Sequence, residues 1–202
     1  MKIKYHTDDL PEKLNLGTIV AIDTETMGLN PKRDRLCLIQ ISSGDGICHL
    51  VKIQESIKKP KNLIRLLSNK KVLKIFHFAR FDVAILKYSF GINIDNIYCT
   101  KIASKIARTY TDKHGYKDLC KELLGITISK NEQSSDWGAE LTKEQKKYAA
   151  TDVFYLHKIK NKLDKMLIRE KRADLANACF KFISHRIDLD LNGWHELDIF
   201  KH

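Results

Sequence analysis

The sequence predicts an α/β fold built on a five-stranded mixed sheet flanked by helices. Two observations predict it. Short apolar runs rich in β-branched residues and bounded by Gly, Pro, Asn and Asp crowd the first half of the chain, the signature of buried strands. The second half switches to apolar residues spaced three and four apart, the period of a helix that buries one face. At 202 residues with 43% apolar content, the chain suits one domain over residues 1–170 and a helical tail over 171–202.

Taken in order, residues 1–17 are polar, contain Pro11 and Gly17, and read as a loosely held lead-in. Ile19 to Ile22 form the first strand, which runs on through Asp23 and Glu25 into a turn at Gly28. Arg35 to Ser42 make the second strand, and Ser43-Gly44-Asp45-Gly46 turns tightly into Ile47 to Val51, which implies an antiparallel meander. Residues 52–71 carry a basic tract and one amphipathic helix, with Ile64, Leu66 and Leu67 on its apolar side and an end near Ser68-Asn69. A fourth strand, Val72 to Phe76, leads to a helix over Ala79 to Ser89. Ile97 to Thr100 supply the fifth strand, followed by helices over Ile102 to Arg108 and Leu119 to Leu124, the latter closed by Gly125. A long helix then opens at Thr142, with Gln145 placed to complete a capping box, and Val153, Leu156, Ile159 and Leu163 forming its apolar stripe.

Composition narrows the function. A net charge of +11 and a pI near 9.4 favour a polyanionic partner. No long apolar span or signal-peptide core is present, so the expectation is a cytoplasmic protein without a membrane partner. The 5 cysteines are odd in number and contain no CxxC pair, which argues against both a disulfide framework and a zinc site.

Three places carry candidate chemistry. In extended backbone Asp23 and Glu25 point to the same side of the sheet, so their repulsion calls for a shared proton, a basic partner or a divalent cation. Asp82 stands in the first turns of a helix that follows a strand, the end of a mixed sheet where ligands gather. Tyr148 and Asp152, one helical turn apart, can bring a hydroxyl and a carboxylate to one point. Each has a plain alternative as a solvated strand end, a helix-dipole partner or a packed tyrosine. The loop from Arg108 to Gly115 mixes cations, hydroxyls and an aromatic ring, chemistry suited to phosphates and bases, although a plain surface loop reads similarly. Trp137, in the polar stretch Ser134 to Gly138, is either a packing anchor or a stacking platform.

Together, Asp23-x-Glu25, Asp82 and Tyr148-x-x-x-Asp152 resemble the three motifs of the DEDDy 3′-5′ exonucleases, in their ribonuclease D branch. Leu36 to Ile41 and Tyr148 to Leu156 extend that resemblance. The segments HFARFD, RTYTDKHGYKDL and QSSDWG and the ending from Leu189 look like the nanoRNase C group of small ribonuclease D-like proteins. The resemblance implies a ribonuclease H-like (DnaQ-like exonuclease) fold. It also implies a cytoplasmic enzyme that cleaves RNA dinucleotides and very short oligonucleotides to mononucleotides as a ring-shaped octamer. His77 imitates the histidine spacing of the related DEDDh branch but lies in the second motif, so Tyr148 is the candidate beside the attacking water. Met27 departs from the leucine expected after the first motif.

Asp23, Glu25, Asp82 and Asp152 are then the expected ligands of two divalent cations, Mg²⁺ or Mn²⁺, with Tyr148 orienting the water. Met27 and Leu29 are expected to wedge against bases, and Arg108, Tyr110 and His114 to meet the 5′ end. His77 and Trp137 complete the expected substrate contacts. Longer structured RNA or DNA 3′ ends form the alternative substrates. A silent nucleic-acid-binding module is the non-enzymatic alternative, disfavoured because binding a polyanion calls for cations rather than four acids.

Overall fold

The structure, a computed structural model, describes residues 1–55, 59–128 and 135–201. Of the segments singled out above, residues 56–58 of the basic tract, Gln133 and Ser134 of QSSDWG, and His202 lie outside the described residues.

The strands are β1 (Lys2–Thr7), β2 (Ile19–Thr26), β3 (Leu36–Ser42), β4 (Ile47–Lys52), β5 (Leu73–Phe76) and β6 (Ile97–Cys99). They form one mixed sheet in the order β1-β4-β3-β2-β5-β6. The meander is present, since β3 pairs antiparallel with both β2 and β4, while β5 runs parallel to β2 and to β6. Among the described residues the sheet has 6 strands rather than the five expected. The additional one is β1, inside the supposed lead-in, and it pairs parallel with β4 from Lys2 opposite Ile47 to Thr7 opposite Lys52. Its sequence hid it because an edge strand has one neighbour and solvent beyond. Lys2 and Lys4 are exposed, and such charges keep an open edge from pairing with other chains.

The helices are α1 (Lys61–Ser68), α2 (Ala79–Phe90), α3 (Thr100–Ala107), α4 (Tyr116–Leu124), α5 (Lys143–Phe154), α6 (Leu156–Arg169) and α7 (Ala173–Leu189), with a π-helical turn at Asp190–Trp194. The capping box forms as expected: Gln145 N donates to Thr142 Oγ1 at 3.1 Å and Thr142 N donates to Gln145 Oε1 at 2.8 Å. The single long helix expected after it is two, divided at Tyr155, which ends α5 and precedes α6 with φ −100 and ψ −3. The break lets α5 lie on β2, β3 and β4 while α6 packs against α3, α4 and β5. Gly125 closes α4 in the left-handed conformation at φ 70.

The sheet's centre is dry. Val20, Ala21 and Ile22 of β2 and Leu38, Ile39 and Ile41 of β3 are fully buried, each large side chain contributing about 1.5–3 kcal/mol of hydrophobic stabilisation. All 5 cysteines are free thiols, and among the described residues no helix is long and apolar enough to cross a membrane. Because β2 and β5 are parallel, their carboxyl ends emerge side by side, and α2 begins there after Phe78, which holds a left-handed φ of 71. The β2–β3 register also slips between Glu25 and Thr26. Bulges of this kind re-aim side chains, and this one sits where the acidic residues leave the sheet.

Candidate active site

The alternation of β2 sends Asp23 and Glu25 to one face, and α5, lying across that face, lowers Asp152 onto them. One carboxylate oxygen from each of Asp23, Glu25 and Asp152 lies within 4.8 Å of the other two. Burial raises the pKa of all three, and charged neighbours add to the shift at Asp23 and Glu25: Asp82, Asp152 and Glu25 at the first, Asp152 and Asp82 at the second. Hard oxygen donors converging under mutual repulsion fit a divalent cation of the Mg²⁺ or Mn²⁺ type.

Asp82 sits differently. Its carboxylate is buried, accepts a 2.7 Å hydrogen bond from Thr24 Oγ1, and lies outside the three-residue group. Burial raises its pKa as well, with Asp152 adding to the shift, so it belongs to the same field. Tyr148 reaches Asp152 from the preceding turn of α5. Burial and the neighbouring carboxylates hold its hydroxyl pKa well above the usual tyrosine value, so it stays protonated.

Asp23, Glu25, Tyr148 and Asp152 line an open cleft of about 400 Å³, with Lys101 and Lys117 on its walls. A larger cavity of about 740 Å³ opens beside Tyr98 and Phe180. There Lys160 and Tyr98 both donate to Asp164, at 2.6 and 2.8 Å, so that acid is already paired, whereas the acids of the carboxylate cleft face one another.

Other predicted contacts divide. Met27 and Leu29 are exposed, as a wedge requires, in a turn where Gly28 matters, since a Cβ there would collide with the Asp34 carboxylate. His77 lines the cleft and pairs through Nδ1 with Thr100 Oγ1 at 2.9 Å. Burial lowers its pKa to about 3, which keeps the ring neutral. Tyr110 is exposed, and His114 is tied to Ser104 at 2.8 Å.

Two expectations need correction. Arg108 is fully buried, with Nη1 donating to Ser104 Oγ and Lys113 O at 2.9 and 2.8 Å and Nη2 paired with Glu122, so it anchors the loop instead of meeting substrate. Trp137 is only 3% exposed and packs 6.2 Å from the Tyr148 ring, a packing anchor with no face open to a base.

Sequence reasoning also missed supporting residues. Gln40 Nε2 donates to Glu25 Oε1 at 3.1 Å, a diagonal contact across β2 and β3. A lone amide in the otherwise apolar run LCLIQI was the available signal. Tyr116 forms part of the cleft wall and donates to Thr151 O at 2.5 Å; it lies in the segment RTYTDKHGYKDL, where sequence reasoning assigns it no role.

Residues 2–168 match the profile of the 3′-5′ exonuclease family. The chain belongs to that family. Within it the exonuclease falls in the ribonuclease D-type, NrnC-like branch. Brucella melitensis NrnC with bound Mg²⁺ is 52% identical to it, with a TM-score of 0.95 over 100% of both chains. The same Brucella protein bound to pGG is 53% identical, with a TM-score of 0.96 over 100% of this chain and 99% of that one. Ribonuclease D of Gluconacetobacter diazotrophicus is 34% identical over 172 residues, 83% of this exonuclease and 43% of that protein. The chain thus spans well under half the length of the curated ribonuclease D relatives it matches, 43% and 41% of the first two.

Proposed function

We propose that this exonuclease is a metal-dependent 3′-5′ exoribonuclease that hydrolyses RNA dinucleotides and very short oligoribonucleotides to nucleoside 5′-monophosphates. The observation that carries the reading is the convergence of Asp23, Glu25 and Asp152 within 4.8 Å, with Tyr148 beside them. The full-length likeness to Brucella NrnC, solved with pGG and with Mg²⁺, supports the substrate and the metal.

Asp23, Glu25 and Asp152 would hold the ions, two of Mg²⁺ or Mn²⁺, with Asp82 contributing to the second. When bound, such ions stabilise charge on the phosphate and lower the pKa of a coordinated water. The protein's own groups do the rest. Gln40 fixes one Glu25 oxygen, and Thr24 fixes Asp82. Tyr148, held protonated, orients the attacking water by hydrogen bonding and does not remove its proton. Lys101 and Lys117 supply positive charge at the cleft wall for substrate phosphates.

Met27 and Leu29 serve as the base wedge, and Tyr110 and His114 meet the 5′ end. The enzyme acts in the cytoplasm as a homo-oligomer, an octamer by analogy with the nanoRNase C group. Residues 1–170 form the exonuclease domain and 171–202 the contact between subunits. Supporting that last point, Trp194, Leu197, Ile199 and Phe200 are all exposed, a poor arrangement for a lone chain.

The second reading, a 3′ exonuclease on longer RNA or DNA, draws on likeness to Escherichia coli RNase D, described as involved in structured RNA processing. That protein shares 25% identity and a TM-score of 0.74 over 84% of this chain. Cleavage rates on a dinucleotide, a short oligonucleotide and a long structured RNA separate the two. Fastest turnover of the dinucleotide is expected, and a rate that climbs with length would overturn the proposal.

A further inference from the structure

Lys52 ends β4, and its side chain reaches the loop before α5. There its Nζ donates to the carbonyl oxygens of three successive residues, Trp137, Gly138 and Ala139, the last two at 3.1 and 2.7 Å. An ammonium has three N–H donors, so the entire donor set of this lysine closes on one short stretch of backbone. The same stretch is tied from within, because Gly138 N and Ala139 N donate to Asp136 Oδ1 at 2.8 and 3.3 Å. It is also tied to α5, because Gln145 Nε2 donates to Asp136 O at 3.1 Å.

This clamped loop carries Trp137, whose ring lies 6.2 Å from that of Tyr148 at a 37° tilt. The indole Nε1 is buried and has no hydrogen-bond partner among the described residues. No polar contact of its own therefore fixes the ring. Its place is set by packing and by the backbone that Lys52 holds.

We propose that Lys52 is a positioning residue for catalysis: by clamping the 137–139 carbonyls it fixes Trp137 against Tyr148 and so sets where the tyrosine hydroxyl stands beside Asp152. The proposal rests on the reading that Tyr148 orients the attacking water. Removing the ammonium leaves three carbonyls to find other donors, which shifts the loop and frees the Trp137 ring. Misplacing a reacting group by a fraction of an ångström slows chemistry more than it weakens binding.

The test uses the full chain with Mg²⁺ and a two-nucleotide RNA. Lys52→Met is expected to lower kcat on the order of tenfold while KM changes by less than about twofold. Lys52→Arg, which keeps charge and donors, is expected to recover most of that loss. In a Tyr148→Phe background, Lys52→Met should lower kcat no further, because its effect passes through the missing hydroxyl. Trp137 reports directly: the chain has 2 tryptophans, so in a Trp194→Phe background its emission should shift to the red and become quenchable by acrylamide when Lys52 is replaced. Lys52→Gln runs alongside, so that a poorly folding methionine variant does not decide the matter.

Wild-type kcat or unchanged Trp137 emission in both Lys52→Met and Lys52→Gln would overturn the role of Lys52, as would a loss that simply multiplies with that of Tyr148→Phe. Wild-type kcat in Tyr148→Phe alone would overturn the role of the tyrosine and this proposal with it. A slow Tyr148→Phe beside a fast Lys52→Met would overturn the lysine's role only.

Discussion

In the cleft, Asp23, Glu25 and Asp152 turn like charges toward one another, whereas around Arg108 a buried cation is met by an acid, a hydroxyl and a carbonyl. Both regions hold ionisable side chains away from bulk water, Arg108 completely and the three acids in part. One is left electrostatically incomplete by the fold and the other is completed by it. Burial raises the pKa of the three cleft acids, and the nearby donors, Gln40 at Glu25 and Tyr148 and Lys117 at Asp152, offset it only in part. Stability alone would select the Arg108 arrangement everywhere, so the incomplete site is the one that a ligand finishes.

The sharpest way to break this contrast is to neutralise the cleft. Asp23→Asn or Asp152→Asn is expected to lower kcat by more than about a thousandfold, as loss of one member of a cooperating set does. In EDTA the same variants should melt at a higher temperature than the wild type, because one repulsive charge has gone. A lower melting temperature with activity retained would make these acids structural. Next in size, Tyr148→Phe should lower kcat about a hundredfold and leave dinucleotide binding nearly intact. Binding lost at an unchanged rate, measured by titration and turnover, would make Tyr148 a substrate contact.

Arg108→Met should behave in the opposite sense to the cleft variants. Loss of a fully buried, paired cation is expected to destabilise the fold by about 3 kcal/mol in urea titrations while kcat per folded molecule holds. A selective rise in KM with unchanged stability would restore Arg108 as a 5′-end contact.

The smallest effect concerns His6 and His49, stacked at 5.2 Å with Nε2 and Nδ1 3.0 Å apart across β1 and β4. Burial lowers both pKa values from 6.5, with Lys4 adding to the effect at both, His6 acting on His49, and Asp45 opposing at His49. Below that value the unfolded chain takes up protons that the folded pair resists. Their contribution to stability is therefore present above about pH 6.5 and lost as the pH falls through the lowered values. The urea midpoint should drop between pH 7.5 and 5.5, and less so in His49→Gln. An equal drop in both proteins would remove the pair from the account.

What the sequence made legible follows from how local each signal is. The apolar runs of β2 to β6, the Thr142–Gln145 cap and the Gly125 stop are decided within a few residues, and all formed where expected. Asp23 and Glu25 were legible because strand alternation alone puts them on one face. The role of Arg108 was not, since Glu122 and the Lys113 carbonyl reach it only after the chain has turned back into α4. Trp137 was ambiguous for the same reason, being buried by Tyr148 from the helix that follows. β1 escaped because its partner, β4, lies beyond two intervening strands and its exposed lysines resemble a loop.

The spacing of the three cleft acids along the chain has a consequence for synthesis. Asp23 and Glu25 leave the ribosome early, on a strand that can pair with β3 at once and gains its second neighbour only when β5 emerges. Asp152 follows much later, on a helix that docks across sheet already formed. Domains form as translation proceeds, so through most of that time the growing chain carries an acidic pair without its third member. The three-acid cluster therefore cannot assemble until the chain has been made through Asp152.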